Sequence, residues 1–445
     1  MSSRLFGTDG IRGTAGTYPL DMVTVRRIGA ALVRALIGPK ELRLLIGRDT
    51  RESGLWIERE LAHGAAASGA MVESAGVVPT PAVAFLTPSK GYDVGVMISA
   101  SHNPYQDNGI KVFSGAGEKF TERLELKVEG IVADSSWSVP GGDAANVPTR
   151  DFAPDYLGLA SRVLEGSGRL GRLPIVVDCA NGATSQVAPR FLASIGFDVT
   201  AIGCAPNGRN INLDCGSTAP QMLVRTVSEG KHPFGVAFDG DGDRAIFVDD
   251  GGRIVDGDAV LLMCARQLKA EGRLRGSAIV ATVMSNMGLE VALRADGIDL
   301  VRCAVGDKHV MEEMLKRGLS LGGEQSGHII FADYLTTGDG LITSLNVLRT
   351  MEITGRTLAS LAADLRTYPQ VLLNVRVREK RKLREIPAVS AVIGEVERRL
   401  AGKGRLLVRY SGTEPLLRVM LEGEDHDQIR VWADEIVDVV KAHLG

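Results

Sequence analysis

Apolar positions fall into short, dense runs separated by longer stretches with one apolar face, and this order recurs three times along the chain. The runs are residues 42–46, 71–74 and 92–98 in the first copy, 174–177, 197–200 and 234–238 in the second, and 277–280, 298–301 and 319–321 in the third. Short apolar runs bounded by turn residues read as buried strands, and the intervening stretches as helices. Alternating strands and helices predict α/β domains with mixed, mostly parallel sheets. The repetition lies in element order and hydrophobic pattern, with little identity between copies.

Each third strand runs into a polar motif. These are Ser99-Ala-Ser-His-Asn-Pro104, Asp239-Gly-Asp-Gly-Asp-Arg244 and Gly323-Glu-Gln-Ser-Gly-His328. Ligands of open α/β sheets bind outside the carboxyl ends of the strands. The three loops are therefore expected to form walls of one cleft.

Breaks in the pattern set the expected domain limits. Segment 135–148 is rich in Ser, Gly, Pro and Asp, Asp249-Asp-Gly-Gly252 is a turn signal, and Pro369 ends the third copy. Beyond it the pattern becomes strand, helix, two strands and a terminal helix. The expected division is three topologically similar α/β domains, 1–150, 151–252 and 253–368, and a C-terminal α+β domain, 369–445. A length of 445 residues suits about two to four domains.

Composition removes several function classes. The net charge is -3, with no long basic tract, so nothing marks a nucleic-acid partner. No run reaches roughly 18 consecutive apolar residues, which argues against a membrane span. The first residues lack the apolar stretch of a signal peptide, and the five cysteines are odd in number and never spaced as C-x-x-C. They read as reduced core residues of a cytoplasmic protein. The basic cluster 376–384 reads as solvated surface.

The motifs carry the chemistry. Asp239, Asp241 and Asp243 alternate with glycine after an apolar strand, and in extended backbone such side chains leave one face. Two like charges at about 4 Å repel by roughly 4 kcal/mol at an effective dielectric of about 20, so a cation is expected among them. Oxygen-only ligands favour Mg²⁺, Mn²⁺ or Ca²⁺ over zinc. Arg244 at the sixth position and a preceding strand exclude an EF-hand. Ser101 is a candidate nucleophile at a strand end. His102 is its neighbour, and neighbouring side chains in an extended loop point apart, which argues against a hydrolase pair.

Lys111 follows the serine loop as a candidate acid, base or charge clamp. Arg12 lies in the glycine-rich string Phe6-Gly-Thr-Asp-Gly-Ile-Arg-Gly13, whose backbone N–H groups suit phosphate. Glu324 and Ser326 suit sugar hydroxyls, and His328 proton transfer. Arg409, Ser411, Gly412, Thr413 and Arg418 surround a Ser-Gly-Thr turn suited to a dianion, for which arginine offers bidentate contacts.

Six motifs occur in order across nearly the whole chain: the glycine-rich string, the serine loop, Asp178-Cys-Ala-Asn-Gly-Ala183, the aspartate motif, the Glu324 motif and Arg409-Tyr-Ser-Gly-Thr-Glu-Pro415. In them the sequence closely resembles the α-D-phosphohexomutase superfamily. The resemblance implies four domains around a central cleft, Mg²⁺, a phosphorylated Ser101 that completes the metal's ligands with Asp239, Asp241 and Asp243, and a bisphosphorylated sugar intermediate. It implies that Arg12, His102, Lys111 and Arg244 line the transferring phosphoryl group, that Glu324 and Ser326 hold the sugar beside His328, and that Ser411, Thr413 and Arg418 grip the other phosphate. Ser99, where relatives often carry Thr, and Gln325, where they often carry Met, point by the same resemblance to the amino-sugar branch. That branch implies conversion of glucosamine 6-phosphate to glucosamine 1-phosphate, which feeds UDP-N-acetylglucosamine synthesis, and a homodimer. Tyr410 departs from the Lys or Pro frequent in relatives. Glucose or mannose phosphate as substrate, and a metal-dependent sugar phosphatase, are the alternatives.

Overall fold

The computed structural model describes residues 4–36, 41–142, 146–165, 173–411 and 415–445. The chain forms two compact units, residues 1–282 with 300–364, and residues 283–299 with 365–445. All nine expected strands are present. In the first sheet Arg43–Arg48, Met71–Val77 and Val94–Ile98 are parallel, and in the second Pro174–Asp178, Asp198–Ile202 and Phe234–Phe238 are parallel. The third sheet contains Ala278–Thr282, Asp299–Cys303 and Leu321–Gly323.

Each copy also holds a fourth strand that returns antiparallel to the third: Asp107–Ser114, Ala245–Asp249 and Ile329–Phe331. The order second–first–third–fourth is the same in all three sheets. Every polar motif thus spans the gap between two paired strands instead of leading into a helix. Edge strands Ile11–Thr14 and Ile254–Val255 extend the first two sheets antiparallel.

The strands read as apolar runs because both faces are covered. Val94–Ile98, Phe234–Phe238 and Ala278–Thr282 are buried at every position. Helices begin at acidic caps where the backbone needs an acceptor. Asp21 accepts from the Thr24 N–H to start Met22–Ala35, and Asp339 accepts from the Ile342 N–H to start Gly340–Thr354. Helix Met22–Ala35 packs on Gly54–Ala67 through paired glycines. A Cβ at Gly29 would stand 2.0 Å from the Leu61 carbonyl oxygen, and one at Gly64 would stand 1.9 Å from that of Arg26.

The second unit contains the antiparallel sheet Gln370–Arg376, Leu416–Gly423, Gly404–Tyr410, in that spatial order. Helices Pro387–Leu400 and His426–Leu444 supply Val389, Val396, Ile436 and Val440 to its core. Helix Met287–Ala295, the first crossover of the third copy, groups with this unit. Among the described residues no helix is long and apolar enough to cross a membrane.

Candidate functional site

Ser101 Oγ lies 2.5 Å from Asp239 Oδ2, although 138 positions separate them in the chain. Asp239, Asp241 and Asp243 each offer an oxygen within 4.8 Å of the others. Their convergence does not come from the expected extended backbone. The chain turns, with Gly242 N–H donating to the Asp239 carbonyl at 3.1 Å and Gly242 at φ +73. All three carboxylates are buried, and among the described residues Asp241 Oδ1 and Asp243 Oδ1 have no hydrogen-bond partner. Burial, then Asp243 and Asp241, push the Asp239 carboxyl well above the usual range. Clustered buried oxygens, two of them lacking partners, fit a hard divalent cation such as Mg²⁺.

Lys111 is buried inside the first sheet. It sits inside Asp107–Ser114, between Ile11–Thr14 and Val94–Ile98, and is 1% exposed. Its Nζ lies 2.8 Å from Asp241, 3.2 Å from Asp243 and 3.2 Å from Asp9. Burial disfavours its charge, but the three carboxylates outweigh it and raise its pKa well above the ordinary value.

The backbone of Ser101 is left-handed, with φ 52, so the rule that neighbours point apart fails. His102 Nδ1 comes within 3.4 Å of Ser101 Oγ. Burial, then Arg244 and Arg12, lower the His102 pKa to about 4, which leaves it neutral. Arg12 reaches the same loop through its side chain, with Nη1 donating to the Ala100 carbonyl at 3.2 Å and Nη2 ion-pairing with Asp9. Arg244 lies at the turn, its Nε 3.9 Å from Asp243 Oδ1.

The third loop also joins. His328 is buried, its Nδ1 is 3.6 Å from Asp243 Oδ1, and its Nε2 accepts the Gly338 N–H at 3.0 Å. Ala245 N–H donates to the Gly327 carbonyl at 3.1 Å. Glu324 Oε1 accepts the Gly306 N–H at 3.1 Å, and Ser326 is exposed.

Several participants were not legible in the sequence. Thr80 donates to Asp241 Oδ2 at 2.5 Å from the start of helix Thr80–Ser89. Arg51 Nη2 and Asn212 Nδ2 both donate to the carbonyls of Ser101 and Asn103. Lys119 bridges Asp9 and Asp307. None stands in a motif that announces it.

In the second unit, Arg409 and Arg418 are paired directly across adjacent strands. Burial, then Arg418, lower the Arg409 pKa. Ser411 is described; Gly412 and Thr413 lie outside the described residues. The basic segment 376–384, read as solvated surface, is tied to this strand end. Lys380 Nζ donates to the Ser411 carbonyl and Tyr410 Oη to that of Arg381, each at 2.6 Å.

Four consecutive matches cover the chain: phosphoglucomutase/phosphomannomutase alpha/beta/alpha domain I at residues 3–138, domain II at 159–252, domain III at 256–368 and the C-terminal domain at 372–439. A curated phosphoglucosamine mutase from Solibacter usitatus is 49% identical over 447 residues, covering 100% of both chains. The chain belongs to the phosphoglucomutase/phosphomannomutase family. It is therefore an isomerase of the phosphohexomutase type, and its aspartate trio is a group that could hold a metal ion.

Solved structures share the fold. A family member from Burkholderia thailandensis matches with TM-score 0.82 at 24% identity, over 99% of this chain and 98% of its own. An N-acetylphosphoglucosamine mutase from Aspergillus fumigatus, in complex with GlcNAc-6P and magnesium, matches with TM-score 0.68 at 18% identity, over 98% of this chain and 95% of its own.

Proposed function

We propose that the enzyme interconverts glucosamine 6-phosphate and glucosamine 1-phosphate through a phosphoryl group carried on Ser101. The observation that carries this reading is Ser101 Oγ at 2.5 Å from Asp239, beside two further buried carboxylates. The substrate follows the curated relative's name and the Ser99 and Gln325 positions. Division into 1–150, 151–252, 253–368 and 369–445, cytoplasmic location and a homodimer belong to the same reading, the last two by cysteine spacing and branch.

In the first half-reaction the Oγ–P bond of phosphorylated Ser101 breaks and a bond forms from phosphorus to the free sugar hydroxyl, whose proton leaves to a base. The product is glucosamine 1,6-bisphosphate. The sugar then reverses in the site, its other phosphate ester breaks, and Ser101 recovers a phosphoryl group. Mg²⁺, which Asp239, Asp241 and Asp243 would hold, would supply charge neutralisation. Lys111, Arg12 and Arg244 add fixed positive charge, which phosphoryl transfer uses with little covalent help from the protein. His102 and His328 stand where protons are exchanged. Glu324 and Ser326 hold the sugar, and Arg409, Ser411, Gly412, Thr413 and Arg418 hold the non-reacting phosphate.

Ser101→Ala tests the carrier role: turnover should vanish while sugar-phosphate binding by calorimetry persists. Residual turnover at wild-type rates removes the role. Rates on glucosamine, glucose and mannose 6-phosphates side by side test the substrate, and equal rates reject the amino-sugar preference.

A further inference from the structure

Cysteines distant in sequence meet behind the Asp178–Ala183 loop. Cys179 follows strand Pro174–Asp178, and Cys204 lies just past the neighbouring parallel strand Asp198–Ile202, where Asp178 and Ile202 are register partners. One carbonyl oxygen gathers both residues: Ile202 O accepts the Cys179 N–H and the Cys204 thiol, each at 3.1 Å. The two thiols are close enough to shift each other's titration. Cys179 is fully buried and Cys204 half-buried, so a small solute meets Cys204 first.

We propose that Cys204 and Cys179 form a peroxide-sensitive thiol pair that closes to a disulfide beneath the turn bearing the aspartate trio. The Cys204 thiolate attacks one oxygen of hydrogen peroxide; the S–O bond forms, the O–O bond breaks, and hydroxide leaves to become water. Cys179 sulfur then attacks the resulting sulfenic sulfur. The S–S bond forms, the S–O bond breaks, and the hydroxyl leaves with the Cys179 proton as a second water. Two thiols are oxidised by two electrons and one peroxide is reduced. Polarity favours this direction: the neighbouring Cys179, opposed by burial, lowers the Cys204 pKa. Burial, then Cys204, raise that of Cys179.

The pair adjoins the carboxylates with no slack between them. Asn181 N–H donates to the Gly203 carbonyl at 2.5 Å, and Ala183 N–H to the Gly240 carbonyl at 2.8 Å. A Cβ at Gly182 would stand 2.3 Å from the Gly240 oxygen. Drawing the two sulfurs to bonding distance therefore displaces the turn that holds Asp239 and Asp241.

Treatment of the full chain with hydrogen peroxide, then alkylation and intact mass, tests the pair independently of the proposed reaction. The expected result is loss of two hydrogens, a peptide cross-link between Cys179 and Cys204, and reversal by dithiothreitol. Cys204→Ser and Cys204→Ala, either of which serves if the other misfolds, lose the cross-link and keep their untreated turnover. Cys179→Ser leaves Cys204 as a sulfenic acid that dimedone traps. Oxidised wild-type enzyme is expected to lose turnover about 100-fold, the scale of a small misplacement of catalytic groups. Five thiols still alkylated after peroxide, or a cross-link made through Cys215 instead, overturns the proposal.

Discussion

Ser99 Oγ accepts the backbone N–H of Ser101 at 2.9 Å while giving its own proton to Asp49 Oδ2 at 2.6 Å. A left-handed residue other than glycine costs about 1–2 kcal/mol, so Ser101 needs such a restraint. Ser99→Ala leaves a buried N–H unmet and Asp49 short of a donor, a penalty of about 1–3 kcal/mol. The expected outcome is a turnover number lower by about 5- to 100-fold with little change in KM, read by steady-state kinetics. Ser99→Thr keeps the hydroxyl and should keep most of the rate. Equal loss in both variants would show that volume, not the hydroxyl, matters.

Arg51 is buried against Asp49 and donates to two carbonyls of the serine loop. Removing one member of a buried ion pair strands the other charge, at a cost of about 3–5 kcal/mol. Arg51→Met is therefore expected to lower unfolding stability by that amount in denaturant titration. A loss below about 1 kcal/mol would mean that Asp49 finds its neutrality elsewhere.

Acid sensitivity should concentrate at Asp9. Burial works against its charge, but Lys111, Lys119 and Arg12 outweigh it and hold its pKa well below the usual carboxylate value. A depressed folded pKa stabilises the fold above the unfolded value of about 3.9, and this stabilisation fades as pH falls through the folded pKa. Lys119→Met removes one cation, so acid unfolding should begin at higher pH than in the wild type. Asp9→Asn should flatten the stability profile below about pH 4. Superimposable acid-unfolding curves for all three proteins would refute this.

Mg²⁺ should raise the stability of protein stripped with chelator, by about 2.7 kcal/mol at a hundredfold excess over its Kd. Asp241→Asn should abolish that increment in calorimetry and relieve repulsion in the metal-free protein. An unchanged increment in the variant would place the ion elsewhere.

Much of this architecture is written in hydrophobic pattern. The inner strands of the three sheets are legible because burial on both faces leaves nearly uninterrupted apolar runs, whereas the edge strands Asp198–Ile202 and Asp299–Cys303 are only half-buried. The fourth strands are not legible. Asp107–Ser114 carries Asp, Asn, Gly and Lys, and Ile329–Phe331 is three residues long. The burial of Lys111 is not legible for the same reason, since it depends on carboxylates from another segment of the chain. The aspartate trio is legible as a cluster, although a turn at Gly242 assembles it where extended backbone was expected. The clamp of Arg51 and Asn212 joins residues whose spacing carries no periodic signal.

The returning fourth strand has a consequence for how this scaffold tolerates change. A segment that opens into a helix can gain a residue by sliding one end. A segment stitched to the sheet on both sides must keep the following strand in register, so a change of length has to be taken up within the loop itself. The three copies do this, with loops 99–106, 239–244 and 324–328 between equivalent paired strands, so each motif differs in length while its ends stay fixed.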